Sequence, residues 1–354
     1  MTSSLALNRN TRRFAWAALC VAVVGRPLNA PADTQASLPS TLVQTGLCAD
    51  PACARIADDA LPFSPQYPLW SDGADKRRWF SLPPGTKIDA RHADAWRFPI
   101  GTKFWKEFRV SGRRIETRYI TRAKIGWQFG AYVWNSDGTQ ARLVSQQGTT
   151  AHVNDHVRHA VPSVDDCRAC HEGHEPPVLG FSLLQLSTDR DPLAPHAEPR
   201  RESDVDVAQL RVRGLIKGLS LDADAIRIAA STPTERAALG YLHANCGGCH
   251  NSTGPLSSLE LFLMSSSRAS STQQTRNSLF GVTSHFQPAG QSHMSRATPG
   301  RPELSTLVAR MRSRDPFAQM PPLATQLVDR EGLALIEHWI ATDPAGITTT
   351  NKGK

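Results

Sequence analysis

Two copies of one five-residue pattern constrain this chain more than any other feature. Cys167-Arg168-Ala169-Cys170-His171 and Cys246-Gly247-Gly248-Cys249-His250 both read C-x-x-C-H. They use four of the seven cysteines. Of the others, Cys20 falls in an apolar N-terminal stretch, and Cys48 and Cys53 bracket Ala49-Asp50-Pro51-Ala52. A pair so close in an oxidising compartment predicts a local disulfide, with two free thiols as the alternative.

Two thiols three residues apart, followed at once by an imidazole, are the attachment signature of c-type haem. The thiols reach the two vinyl groups on one porphyrin edge, and the histidine points at the iron. Two covalently attached haems are therefore expected. Cys167, Cys170, Cys246 and Cys249 are the thioether anchors, and His171 and His250 the proximal ligands. The competing readings are redox dithiols and one zinc site made from both cysteine pairs.

Residues 1–32 read as a secretory signal. Arg9, Arg12 and Arg13 precede the apolar run Phe14 to Val24, and Ala30-Pro31-Ala32 supplies small residues for cleavage after Ala32. A membrane anchor is the alternative. Export and haem attachment agree, because c-type haem is attached outside the bacterial cytoplasm, so a periplasmic location is expected. The whole chain carries +8, and removing the signal takes four arginines and no acids, leaving +4. That charge, with no Walker-type loop and no basic block, argues against nucleic acid as a partner. No apolar run beyond the signal reaches the roughly 20 residues needed to span a bilayer.

Thr232-Pro233-Thr234-Glu235 reads as a capping box with proline at the first helical position, and predicts a helix running into Cys246. Asp329 can cap a last helix, along which Leu333, Ile336, Trp339 and Ile340 form one apolar stripe. A helix entering C-x-x-C-H and an amphipathic helix closing the chain resemble the class I cytochrome c domain. The resemblance implies that the two helices cross, with Ala237, Ala238 and Gly240 allowing close approach opposite Trp339. It also implies a distal methionine on a loop before the last helix. Met320, in Gln319-Met320-Pro321-Pro322-Leu323, sits there; Met294 is the competitor. Met311, on an expected helix from Pro302 to Arg312, and Met264 read as packing, and the Ser-rich stretch Ser265 to Thr275 as a loop.

The first motif follows Val161-Pro162-Ser163-Val164-Asp165-Asp166, a poor helix former, and no methionine lies between His171 and Cys246. Its sixth ligand is open. His196 leads, His174, His152, His156, His159 and Met294 follow, and a vacant or water-bound iron is the other option.

Between Trp70 and Trp134 lie six of the eight tryptophans. Runs at Lys103 to Val110 and Gly130 to Trp134 are strand-like and Arg114 to Ile120 alternates, with turn signals at Pro83-Pro84-Gly85, Ser111-Gly112 and Asp137-Gly138. An antiparallel sheet packed with aromatics follows. Fold class is thus expected to be α+β and multidomain: a signal at 1–32, a β-rich domain at 33–160, a haem-binding segment at 161–230, an all-α cytochrome c-like domain at 231–345, and a tail at 346–354.

Pro68-Leu69-Trp70-Ser71-Asp72-Gly73-Ala74-Asp75-Lys76, Trp96 to Lys103 and Glu116-Thr117-Arg118, together with both haem motifs, resemble a family of exported bacterial dihaem c-type cytochromes. The resemblance covers roughly residues 45 to 342. Phe98 to Thr102 and Trp134 to Gly138 are also similar to proteins whose c-type haem carries an extra lysine cross-link. That second likeness implies Lys103, Lys106 or Lys124 as the lysine, and an open first iron. The expected function is electron transfer between the haems and a redox partner protein. The alternatives are a dihaem enzyme, a peroxidase or small-molecule dehydrogenase with an open first haem, and a β-domain that docks a partner dehydrogenase.

Overall fold

The computed structural model describes residues 37–153, 158–220 and 225–343. The signal at 1–32, Cys20, His156 and the tail at 346–354 lie outside them. Among the described residues, ten strands and six α-helices run in the order β1 (Leu61–Pro62), β2 (Asp75–Ser81), β3 (Ile88–Asp89), β4 (Lys103–Val110), β5 (Arg113–Arg122), β6 (Trp127–Trp134), β7 (Ala141–Leu143), β8 (Thr149–His152), β9 (Arg158–Val161), α1 (Val164–His171), α2 (Val207–Val212), β10 (Ile216–Lys217), α3 (Pro233–Asn245), α4 (Ala269–Leu279), α5 (Thr306–Arg312) and α6 (Arg330–Ala341).

The expected antiparallel sheet has six strands in the order β1-β2-β4-β5-β6-β7. Side chains alternate across it, because successive Cβ atoms of a strand point to opposite faces. On one face Trp79, Trp105, Tyr119, Tyr132 and Trp134 form a core with Leu42 and Leu47 of the N-terminal segment. On the other, Phe80 and Phe104 pack with Phe63, Trp96, Phe98 and Phe181. The β4–β5 hairpin turns at Ser111 (φ 49°) and Gly112 (φ 77°), the paired positive φ that matches strand twist in a two-residue loop. Cys48 and Cys53 are disulfide-bonded, with Cα atoms 4.8 Å apart. Asp50 organises this loop by accepting from the amides of Ala52, Ala54 and Arg55.

The helical half departs from expectation. It is no all-α cytochrome c-like domain: the helices among the described residues are small, α3 with 13 residues being the longest of them, and the described residues from Leu38 on pack as one compact unit. The reason lies in what covers α3. α3 does meet α6, but the core they share also takes in Tyr67, Leu184 and Ala194 from outside the helical half. Gly240 faces Tyr67, not Trp339: a Cβ there would lie 2.0 Å from Tyr67 Cε1. Tyr67 is held in turn by its hydroxyl on Asp191 (3.0 Å). The end of α3 is tied to the same segment by the Trp70 amide, which donates to Asn245 Oδ1 (2.7 Å).

Gly240→Ala is accordingly expected to cost about 1–3 kcal/mol through overpacking. The roughly 1 kcal/mol that alanine gains over glycine in a helix offsets part of this. A denaturant titration reads it, and an unchanged midpoint would mean that Tyr67 is not seated on α3.

Local signals fared better at the caps. Thr232 accepts from the Glu235 amide (3.1 Å) and Asp329 from the Gly332 amide (2.9 Å). The Glu235 carboxylate binds the Ser231 amide, one residue before the cap, so the expected box is closed on one side only. A segment read as a poor helix former and one expected loop are helical. Val164–His171 is α1, started by a full capping box between Ser163 and Asp166, and most of the Ser-rich stretch lies in α4. The expected helix from Pro302 to Arg312 is split at Ser305, into a 3-10 turn at Pro302–Leu304 and α5.

Candidate functional site

The first motif occupies the second half of α1. This helix packs on β6, with the His171 ring 5.4 Å from that of Phe129. His171 Nδ1 donates to the Pro177 carbonyl (3.0 Å). The bond fixes ring and tautomer and leaves Nε2 to act as a ligand, the usual arrangement for a metal-binding histidine. The second motif begins at the C-cap of α3. The His250 amide donates to the Cys246 carbonyl (2.9 Å), and Asn251 braces the turn by donating to Gly247 O (2.9 Å) and Gly248 O (3.1 Å).

The two motifs touch. A Cβ on Gly173 would lie 2.1 Å from Gly248 O, so only glycine allows this approach. Thr253 Oγ1 donates to Gly173 O (3.2 Å), and Cys249 Sγ to Ala169 O (3.5 Å). Cys170 and Cys249, the second thiols of the two motifs, are near enough that each shifts the other's titration. Asn251, Gly173 and Pro177 carry this junction and were not singled out from the sequence. Each is a common residue type whose partner lies far along the chain or is a backbone atom.

All six motif residues line one cavity of about 960 Å³. That is near the upper end of the ~300–1,000 Å³ typical of small-molecule sites. Met320 lines it too, with its amide on Arg310 O (3.0 Å). Met294 is buried but does not line it. Met264 and Met311, read as packing, do line it. Among the histidines, His196 is committed elsewhere: Nε2 meets Asp329 Oδ1 (2.8 Å), Nδ1 meets Glu331 Oε2 (3.3 Å), and the ring lies against Trp70. His159 pairs with Glu116 (2.7 Å), and His152 is exposed on β8. His174 does line the cavity, and its Nε2 is buried without a hydrogen-bond partner. His243, which the sequence reading passed over, also lines it, one turn before Cys246 on α3; its Nδ1 accepts from the Ser265 amide (3.2 Å). Of the three lysines, Lys106 lines the cavity, Lys103 donates to Thr45 O (2.8 Å), and Lys124 is exposed.

Burial governs the electrostatics. It lowers His171, His243 and His250 to about 4, so all three are neutral near pH 7, as a metal ligand must be. His250 Nδ1 is buried without a hydrogen-bond partner. Such an orphan is costly unless something other than the chain satisfies the ring. Burial also raises Cys167 to about 11 and Cys246 to about 12. A redox dithiol needs the opposite, a first cysteine with a lowered pKa. Of the four motif thiols only Cys249 is lowered, by its neighbour Cys170. Burial beside Arg78, Lys76 and Arg118 pushes Lys106 well below the usual lysine range. Among the described residues no three His, Cys, Asp or Glu side chains converge closely enough to hold a metal ion, so the four thiols do not assemble the tetrahedral zinc site.

No family model matches the chain, and no curated protein or solved structure matches it either. No helix among the described residues is long and apolar enough to cross a membrane.

Proposed function

We propose that this chain is an exported dihaem c-type cytochrome that carries electrons to or from a redox partner protein. One observation carries the reading: both C-x-x-C-H motifs open on a single cavity and touch each other at Gly173–Gly248 and Ala169–Cys249. Bound there, each porphyrin would supply reversible one-electron chemistry. The chain's own residues do the rest. Cys167 with Cys170, and Cys246 with Cys249, would tether the two groups from adjacent points. His171 offers Nε2 with its other nitrogen anchored on Pro177. Phe129, Trp70, Leu179 and Leu263 line the cavity with apolar surface. Met320 is the proposed distal ligand on the second side, where a thioether favours the reduced state relative to a histidine.

The enzymatic reading has one observation in its favour. His196 and His159, two of the histidines proposed for the first iron, are tied to carboxylates. Three further histidines line the cavity, His174, His243 and His285, and the sixth position falls to one of these, a methionine or solvent.

The test is a haem-to-protein ratio with absorption spectra of the dithionite-reduced protein, with and without carbon monoxide. A ratio near two with no shift is the result expected of a carrier. A ratio near two with one haem shifting would transfer the proposal to the enzyme class. A ratio of zero would overturn the haem reading. Cys246→Ala/Cys249→Ala should lower the ratio to one.

A further inference from the structure

Three cations lie side by side on the cavity face of the sheet. Arg78 of β2 pairs with Lys106 of β4, and Lys106 with Arg118 of β5, so the three are direct cross-strand neighbours. Adjacent strands are only ~4.8 Å apart, and like charges placed opposite each other destabilise a sheet. All three line the cavity that holds the haem motifs.

The outer two have carboxylate partners. Arg78 Nη1 donates to both oxygens of Glu198 (3.0 and 2.9 Å). Arg118 donates through Nε and Nη2 to Glu116 (2.8 and 3.1 Å). The central Lys106 makes no hydrogen bond or ion pair among the described residues; its ammonium lies 5.0 Å from the Phe108 ring centroid. Arg78 Nη2 is buried without a hydrogen-bond partner, on a side chain only 6% exposed. A fourth cation, Lys76, sits two residues from Arg78 on the same face, with Nζ on the Leu69 carbonyl (2.9 Å). Lys106 Nζ and Arg78 Nη2 thus have no hydrogen-bond partner among the described residues, and both belong to side chains that line the large cavity.

We propose that the Arg78–Lys106–Arg118 row is a carboxylate-binding site. A ligand carboxylate at Lys106, within reach of Arg78 Nη2, would satisfy both idle donors and offset the repulsion along the row by charge-assisted hydrogen bonds. Two sources share this chemistry: the propionates of a porphyrin held at the first motif, or a free small carboxylate entering the cavity. The first source rests on the haem reading above; the second does not.

The experiment compares the full chain with Lys106→Met and Lys106→Arg. Succinate is titrated calorimetrically, and both haem midpoint potentials are measured on the same samples. Succinate binding that Lys106→Met weakens tenfold or more and Lys106→Arg retains assigns the site to a free carboxylate. No succinate binding, with one midpoint potential lowered in Lys106→Met and kept in Lys106→Arg, assigns it to the propionates. Neither effect overturns the proposal. The haem count on these samples judges the haem reading separately; in a haem-free chain the succinate titration alone decides. Should Lys106→Met not fold, Lys106→Gln takes its place. The unliganded Lys106→Met chain is expected to unfold at a temperature no lower than the parent, since it loses a repulsion; a purely structural lysine would give a lower one.

Discussion

Gly173→Ala should strongly destabilise this protein. The added Cβ would lie 2.1 Å from the Gly248 carbonyl oxygen, a contact that cannot stand. A side chain at that distance could rotate away, but a backbone carbonyl cannot. Asn251 holds this one from the other side, and its own Oδ1 is engaged by the amides of Thr253 and Gly254. Relief requires α1 and the turn after α3 to move apart. The expected cost is about 3 kcal/mol, the upper part of the range for overpacking, read as a drop in the denaturant midpoint. Haem content of both motifs should fall with it. Thr253→Val is the control: it removes the hydrogen bond to Gly173 O without adding a clash, and should cost about 1 kcal/mol. Full stability and haem content in Gly173→Ala would mean that the two motifs are not apposed at this point.

The second large effect is on acid stability, and its sign follows from burial. His171, His243 and His250 are each lowered to about 4 in the folded chain, against an ordinary value near 6.5. The folded state therefore binds fewer protons than the unfolded state between these values, so stability rises with pH there. It is fully present above about 6.5 and is lost as pH falls toward 4. At ~1.4 kcal/mol per pH unit for each group, the three together weigh on the order of several kcal/mol in a chain without haem. Denaturant titrations of that chain, made by replacing all four motif cysteines with alanine, should show the midpoint falling steadily from pH 6.5 to 4. His243→Gln should flatten the slope, because it removes one proton site. A pH-independent midpoint over this window would mean that the three imidazoles are not sealed from water.

The antiparallel sheet was legible because its signals are local. Strands expected at Lys103 to Val110, Arg114 to Ile120 and Gly130 to Trp134 are β4, β5 and β6 within a few residues. The turn at Ser111-Gly112 has the positive φ that its residues suggest. The caps at Thr232 and Asp329 were legible for the same reason. Ser163-x-x-Asp166 was an equally local signal, overlooked because a proline and a β-branched pair surround it; the capping bonds outweigh those weak propensities. α4 had no such cap to announce it: no side chain caps its N-terminus, and its helix is held by buried Thr272, Thr275 and Leu279.

The sequence by itself determined the chemistry on offer: two C-x-x-C-H units, a Cys48–Cys53 pair and an aromatic sheet. Covalent spacing and side-chain alternation are properties of neighbours along the chain, so no tertiary information is needed to read them. Only the tertiary structure decided how these parts combine. It seats Tyr67 on Gly240, so that the C-terminal helices share a core with the N-terminal half and do not form a domain of their own. It brings Gly173 onto Gly248, ties His196 to Asp329 and lines up Arg78, Lys106 and Arg118 beside the cavity. Each of these depends on close packing between residues distant in the chain, with no imprint on local spacing. Contacts of that kind are set by shape complementarity in a densely packed interior, which a pattern along one dimension does not encode.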